Sequence, residues 1–309
     1  MIDVCICTHN PRRPLLATVI EAIAAQDAPT DAFRVTIIDN ASSPPLDAAA
    51  LAPLQQRGIT ARLVREPQTG LVQARLRAID TTDGEWILFV DDDNVIAPNF
   101  ISEGRRFMAA HPEVGCFGGR LILPREIEAP AGREPFLPFL GIRDLGDAPQ
   151  IGRSPVWVEY EPPGAGAFVK RAVLSRFKQL THERPEAFAL GRSGGGLASC
   201  DDSLLMSCAD DVGLAMAYDP ALTLDHHIAA ERFDRRYLRR LMRAYGESQV
   251  TLLRARTGTA VIPRYYASAP FFAAMVCLGF LKNALRSVDF AIAQTEYHFA
   301  ARKAFHAAR

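Results

Sequence analysis

The segment Glu85-Trp-Ile-Leu-Phe-Val-Asp-Asp-Asp-Asn94 constrains this chain more than any other. Trp86 to Val90 form a short apolar run, rich in aromatic and β-branched residues, after the turn signal Asp83-Gly84. That is the pattern of a strand buried on both faces. Asp91, Asp92 and Asp93 stand where the strand ends. Adjacent carboxylates repel one another and are costly to desolvate, so gathering them at the mouth of a buried strand calls for a compensating charge. A divalent cation is the simplest. Hard ions such as Mg²⁺ or Mn²⁺ take oxygen ligands, typically one or two of them protein carboxylates, with waters and substrate phosphates completing the shell. The plain alternative is a solvated acidic turn, since aspartate is favoured in turns.

Upstream, Ile2, Val4 and Ile6 alternate with Asp3, Cys5 and Cys7, predicting a first strand that ends at Thr8-His9-Asn10-Pro11. Leu15, Leu16, Val19, Ile20 and Ile23 then recur at helical spacing. A second strand over 33–38 stops at Asp39-Asn40-Ala41-Ser42, a helix is expected around 46–56 and a third strand near 61–64. A helix from Gly70 to about Ile79 leads into the acidic strand. Crossovers of this length make the strands parallel with right-handed connections, so the expected fold class is α/β, an open Rossmann-like, mostly parallel sheet flanked by helices. Such sheets bind ligands at the carboxyl ends of their strands, where Thr8 to Asn10, Asp39-Asn40 and Asp91 to Asp93 all fall. No Gly-x-Gly-x-x-Gly follows the first strand and no Walker-type loop is present. A nucleotide would therefore be held through a metal-bridged diphosphate and side-chain contacts.

The blocks Val4-Cys-Ile-Cys-Thr-His-Asn10, Ile37-Ile-Asp-Asn-Ala-Ser42, Gly70-Leu-Val-Gln-Ala-Arg75 and Phe89-Val-Asp-Asp-Asp-Asn94 resemble the successive motifs of family 2 glycosyltransferases with the GT-A fold. The resemblance implies an inverting, nucleotide-sugar-dependent enzyme. It places Thr8, His9 and Asp39 against the base and ribose, with Asn10 and Arg75 in the same nucleotide-binding set. Asp91 or Asp92 would serve the ribose or sugar, and Asp93 the metal, Mn²⁺ or Mg²⁺. Position 9 is usually aromatic in the family, so His9 can stack on a base; the alternative is a surface histidine in a turn.

Between Pro124 and Pro163 frequent proline and glycine indicate loops, with a strand expected near 155–160. Pro162-Pro-Gly-Ala-Gly-Ala-Phe-Val-Lys-Arg171 resembles the family turn beneath the donor sugar, with Gly166 where the family often has asparagine. The glycine run at 194–196 leads to a helix with Asp201 and Asp202 at its N-terminus. Acids there complement the helix dipole, and a capping acid needs no catalytic role. The resemblance assigns more: the second acid of this pair acts as catalytic base in inverting members, so Asp202 takes that role, with Asp201 orienting the acceptor or the turn. Residues 216–220 and 222–228 read as a short strand, a turn and another extended segment. The second resembles the family's closing segment, in which His226 would reach the metal or the diphosphate. Arg232 just beyond is either a phosphate ligand or a solvated cation.

Thirty-five basic and thirty-five acidic residues cancel, which argues against nucleic acid as a partner. With 49% hydrophobic and 23% charged residues, the chain can bury a sizeable core and is too polar for an integral membrane protein. Six scattered cysteines form neither a disulfide framework nor a zinc spacing, and no signal peptide is visible, so a cytoplasmic location is expected. From Arg235 onward the pattern is helical: arginines at 235, 236, 239, 240, 243, 254 and 256 interleave with apolar residues, which would favour anionic lipid. Pro270 to Leu281 is strongly apolar, yet shorter than the roughly twenty residues that cross a bilayer. It lies on a membrane surface, docks on the catalytic domain or joins a dimer. The expected organisation is a catalytic domain over 1–230, with a nucleotide-binding half (1–100) and an acceptor-side half (101–230), followed by a helical region over 231–309. No Gln-x-x-Arg-Trp motif of processive polymerases occurs.

The expected activity is transfer of a single sugar from a nucleotide diphosphate sugar, a UDP-sugar by family habit, to a hydroxyl of a glycan, lipid-linked or protein acceptor, in cell-surface polysaccharide or glycoconjugate assembly. The alternatives are a sugar-nucleotide pyrophosphorylase, which normally needs a glycine-rich basic loop that residues 8–13 lack, and a non-catalytic nucleotide-sugar binding protein, which would not require Asp202. A dehalogenase-type phosphatase would carry its acid pair after the first strand.

Overall fold

The acidic strand lies inside a nine-stranded sheet in a computed structural model that describes residues 1–308. The strands are β1 Ile2–Thr8, β2 Phe33–Asn40, β3 Ala61–Glu66, β4 Trp86–Asp91, β5 Asn94–Ile96, β6 Val114–Ile122, β7 Gln150–Gly152, β8 Ala167–Lys170 and β9 Ala215–His226. Their order is β3-β2-β1-β4-β8-β6-β9-β5, with β7 also paired to β9. β1 to β4 are mutually parallel, β8 runs against both β4 and β6, and β6 and β9 are parallel again. β5 and β7 run against β9. Register sets Cys7 beside Asp91 and Thr8 beside Asp39, so the carboxyl ends of β1, β2 and β4 meet. This is the α/β, mostly parallel sheet flanked by helices that the alternation of elements predicts.

The helices are α1 Arg13–Ala24, α2 Ala52–Gln56, α3 Leu71–Thr81, α4 Phe100–Ala110, α5 Arg171–Glu183, α6 Asp201–Asp211, α7 Arg235–Thr257, α8 Arg264–Ala267, α9 Ala269–Ala284 and α10 Val288–Ala307. They cover both faces of the sheet. Ile2, Val4, Ile6, Leu88 and Val90 join one core with residues of α1 and α4, whereas Cys5, Ile87 and Phe89 join another with residues of α3, α5 and α6. Successive strand residues thus enter opposite cores, as the period of two requires. The cysteines are free.

Three expectations need correction. The helix around 46–56 is a 3-10 turn, Ala48–Leu51, followed by the short α2; Asp47 accepts the Ala49 N–H and caps the turn. No strand covers 155–160. Ser154 Oγ donates to the Val156 carbonyl at 2.8 Å and Pro155 has no N–H for a ladder, so the chain turns and Val156 and Trp157 stay exposed; β7 lies earlier, at 150–152. Residues 216–226 are one strand, because a register shift between Gly118 and Arg120 absorbs Asp219 to Leu222 without ending the β6–β9 ladder.

The C-terminal helices are joined to the rest through α7 and through the start of α10. Leu238, Leu241 and Met242 share a core with Phe290 of α10 and with Phe136 and Leu140. A Cβ on Gly246 would strike the Tyr297 carbonyl, so glycine permits the close approach of α7 and α10. The basic stretch of α7 is largely engaged by acids of the chain: Arg235 pairs with Asp289, Arg239 with Glu296 and Arg256 with Asp211. Among the described residues, no helix is long and apolar enough to cross a membrane.

Candidate active site

The carboxyl ends of β1 and β4 open into a cavity of about 580 Å³, lined by Thr8, His9, Asp91, Asp92, Asp93, Arg75, the segment 192–202 and His226 among others. On the β4 side the three acids are not equivalent. Thr8 Oγ1 donates to Asp92. Burial nevertheless pushes the Asp92 carboxyl up to about 6, with the charges of Asp93 and Asp91 adding to the rise and the Thr8 bond opposing it. Asp91 is raised too, by burial and then by Asp93. Asp93 moves the other way. Burial opposes its ionisation, but His226, Arg232 and Arg12 together hold it below the usual carboxylate range. His226 Nε2 lies 3.6 Å from Asp93 Oδ1, with Arg232 at 3.6 Å and Arg12 at 4.0 Å from Oδ2.

Strand pairing brings His226 there. β9 ends at His226, opposite Asn94 of β5, and the next residue, His227, donates its N–H to the Asp93 carbonyl at 2.9 Å. Gly141, at φ +83°, closes the preceding 3-10 turn, and a Cβ there would sit only 3.3 Å from the imidazole. Buried His226 Nδ1 and both polar atoms of the Asn94 side chain have no hydrogen-bond partner. Among the described residues no group of three or more His, Cys, Asp or Glu is arranged to hold an ion by itself. A divalent ion placed at Asp93 and His226 would have to draw its remaining ligands from phosphate and water.

The α6 side is held differently. Cys200, left-handed at φ 76°, redirects the chain into α6. Asp201 pairs with Arg75, both side chains buried (6% and 4% exposed). A Cβ on Gly164 would collide with this guanidinium, which also sits 5.7 Å from the Phe89 ring centroid. Burial pushes the Asp201 carboxyl up to about 6 while Arg75 pulls it back, leaving an ion pair at neutral pH. Asp202 accepts the N–H groups of Gly164 at 3.2 Å and Ser203 at 2.9 Å, which fixes its carboxyl at the cavity wall. Beneath lies Glu161, 3% exposed, with Oε2 unpartnered. Burial pushes its carboxyl up to about 8; Asp202 adds to the rise, while Ser203 and Arg143 oppose it. Glu161 is thus mostly protonated at neutral pH.

Thr8, His9, Arg75, Asp91, Asp92, Asp93, Asp201, Asp202 and His226 gather on one cavity. Asp39 and Asn10 do not line it. Asp39 accepts the N–H groups of Ser42 at 3.0 Å and Leu46 at 3.2 Å and pairs with Arg65 at 2.8 Å; against burial, these bonds hold its carboxyl low. Asn10, at φ 51°, accepts the Ser43 N–H at 2.8 Å, and its own N–H donates to Ser42 Oγ. Both shape the loop after β2. Asn40 lines the cavity instead, accepting the Gly70 N–H at 2.8 Å, while its carbonyl meets His9 Nδ1 at 2.6 Å. Arg192, Tyr237 and Tyr245 also line it; no spacing in the sequence announces them.

Residues 3–146 match the model of Glycosyl transferase family 2. That match covers just under half of the chain. The succinoglycan biosynthesis protein ExoM of Rhizobium meliloti (strain 1021) is 28% identical over 102 residues, 33% of this chain and 32% of that protein. The match thus spans about a third of the curated relative. Among solved structures, the mannosyltransferase PcManGT of Pyrobaculum calidifontis, in complex with GDP-Man and Mn²⁺, superposes with a TM-score of 0.56 at 17% identity, covering 99% of this chain and 86% of that one. It shares the GT-A fold. Residues 1–349 of S. aureus TarS give a TM-score of 0.49 at 12% identity over 99% of this chain and 90% of theirs.

Proposed function

We propose that this chain is a metal-dependent glycosyltransferase of family 2. It moves one sugar from a nucleotide diphosphate sugar, a UDP-sugar, to an acceptor hydroxyl with inversion, in polysaccharide or glycoconjugate assembly. One observation carries the proposal: a single cavity holds both an acidic run whose last member is ringed by His226, Arg232 and Arg12 and a separate, backbone-fixed acid, Asp202. Support for a nucleotide-sugar donor and Mn²⁺ comes from what PcManGT was solved with, and for polysaccharide assembly from the name of the ExoM relative. Uridine follows from the family resemblance.

In this reading Asp93 and His226 hold Mn²⁺ or Mg²⁺, which when bound neutralises charge on the departing diphosphate. Arg232 and Arg12 lie near enough to Asp93 to share the same phosphate oxygens. Thr8, His9 and Asn40 border the nucleoside end, and Asp91 and Asp92 the ribose and sugar. Asp202 takes the proton from the acceptor hydroxyl as its oxygen forms the new bond to the anomeric carbon and the bond to the diphosphate breaks. One base and no covalent nucleophile make this a single displacement. Residues 1–230 form the catalytic unit, and 231–309 complete the cavity through Tyr237 and Tyr245 of α7.

Thermal unfolding in the presence of UDP, GDP, TDP or CMP, with and without Mn²⁺, tests the donor. One diphosphate should stabilise the protein only with metal, by about 2.7 kcal/mol at a hundred times its dissociation constant, and Asp93→Ala should abolish the effect. No response to any of them, with acceptor and lipid also present, would sink the donor assignment. Asp202→Asn should leave that stabilisation intact and lower turnover by about 10²–10⁴-fold. Unchanged biological activity in this variant would point to a non-catalytic binding protein.

A further inference from the structure

α9 is apolar around its whole circumference, but α10 and α8 cover only one side of it. Phe272 is 3% exposed against α10, where Arg302 lies 4.5 Å over its ring. On the other side Phe271, Leu278 and Leu281 are 64%, 68% and 66% exposed, and Leu285, just past the helix end, is 91% exposed. Ala273, Ala274 and Cys277 between them are exposed as well. At 100° per residue these positions span about half the helix circumference, wider than the narrow stripe through which two helices pair in a coiled coil. Isolated exposed leucines need no explanation, whereas a contiguous apolar face does.

The charges of the segment that carries this face are of one sign. From Gly258 to Val288 the sequence contains no Asp or Glu, and its charged residues are Arg264, Lys282 and Arg286, all exposed. Lys282 and Arg286 stand beside Leu281 and Leu285, where long cationic side chains can lie along an apolar surface and reach anionic headgroups. Two copies of the face brought together around a twofold axis would appose like charges, with no acid in the segment itself to offset them. The arginines of α7 contrast with these cations, since acids of the chain already engage several of them.

We propose that the outer face of α9, with Phe271, Leu278, Leu281, Leu285, Lys282 and Arg286, seats the protein on an anionic lipid bilayer, the helix lying in the plane of the interface rather than crossing it. The proposal does not depend on the glycosyltransferase assignment, because none of these residues lines the cavity.

The test is co-flotation of the full chain with phosphatidylcholine vesicles, with or without phosphatidylglycerol, alongside sedimentation without lipid. Binding should require phosphatidylglycerol and weaken as salt is raised. Leu278→Gln with Leu281→Gln should weaken it by at least about tenfold per leucine. Lys282→Ala and Arg286→Ala should each cost about fivefold. All four side chains are exposed, so circular dichroism should show the variants folded. Absence of binding, equal binding to both vesicle types, or binding indifferent to the leucine substitutions would overturn the proposal. A dimer in solution that the leucine variants dissociate, without vesicle binding, would assign the face to a second copy instead.

Discussion

The acids after β4 and the acids at the start of α6 border the same cavity, yet their charge is compensated from different places. Asp93 is countered by buried His226 and also by Arg12 and Arg232, whose side chains are 49% and 30% exposed. Asp201 is countered by Arg75, which is 4% exposed. A partly solvated arginine can turn to a phosphate at little cost, whereas a buried one cannot leave its carboxylate without stranding a charge. The β4 cluster is therefore arranged to exchange its counter-charges and the α6 cluster to keep them. Glu161 extends the second arrangement: burial outweighs the opposing charge of Arg143, and its carboxyl keeps its proton.

The most severe test of that contrast is Arg75→Met, which should lower unfolding free energy by about 3–5 kcal/mol, because removing one member of a buried pair leaves the other uncompensated. Urea denaturation reads this directly. The double variant Arg75→Met/Asp201→Leu should recover much of the loss. If Arg75→Met is as stable as the native protein, Arg75 is not committed to Asp201 and would be free for the nucleotide that the resemblance gives it.

How far the sequence discloses these arrangements depends on the residue. β4 and its acids are legible because a strand buried on both faces writes itself as an unbroken apolar run and the acids mark where burial ends, and β1 is legible from its period of two. Which residue of Asp39-Asn40 meets the cavity is not legible, since both are buried at the end of β2 and loop N–H groups rather than spacing claim Asp39. Pro220 suggests a strand break that the register shift opposite Gly118 to Arg120 absorbs. Val156-Trp-Val158 suggests a strand, but the Ser154 turn prevents it. The protonated state of Glu161 arises from long-range packing and has no local signature at all.

Glu161 supplies the next test. Its carboxyl is raised from an ordinary 4.5 to about 8, so between those values the folded protein binds a proton that the unfolded chain has lost. Stability from this group is fully present below about pH 4.5 and is lost as pH rises toward 8. Glu161→Gln mimics the protonated form and should remove that part of the decline, leaving the variant more stable than the native protein at pH 8 by a few kcal/mol, at about 1.4 kcal/mol per pKa unit, and close to it at pH 5. Asp92 and Asp201, raised to about 6, titrate in both proteins and cancel in the difference. Parallel native and variant curves would mean that Glu161 is ionised in the folded state and that the α6 cluster holds a cation not yet recognised.

The smallest expected effect sharpens the contrast from its other side. Arg12 lies 4.0 Å from Asp93 and donates to the His227 carbonyl at 2.5 Å, with its side chain half exposed. Exposed pairs contribute about 0–1 kcal/mol, so Arg12→Gln should change unfolding free energy by less than about 1 kcal/mol. If Arg12 is an exchangeable counter-charge, the same substitution should weaken nucleoside diphosphate binding by about fivefold, the equivalent of one solvent-screened contact to phosphate. Calorimetric titration with diphosphate and Mn²⁺ separates the two quantities. A loss of stability without a loss of affinity would make Arg12 a structural partner of Asp93 and erase the distinction between the two clusters, whereas lost affinity at unchanged stability ties the exposed arginines to the ligand.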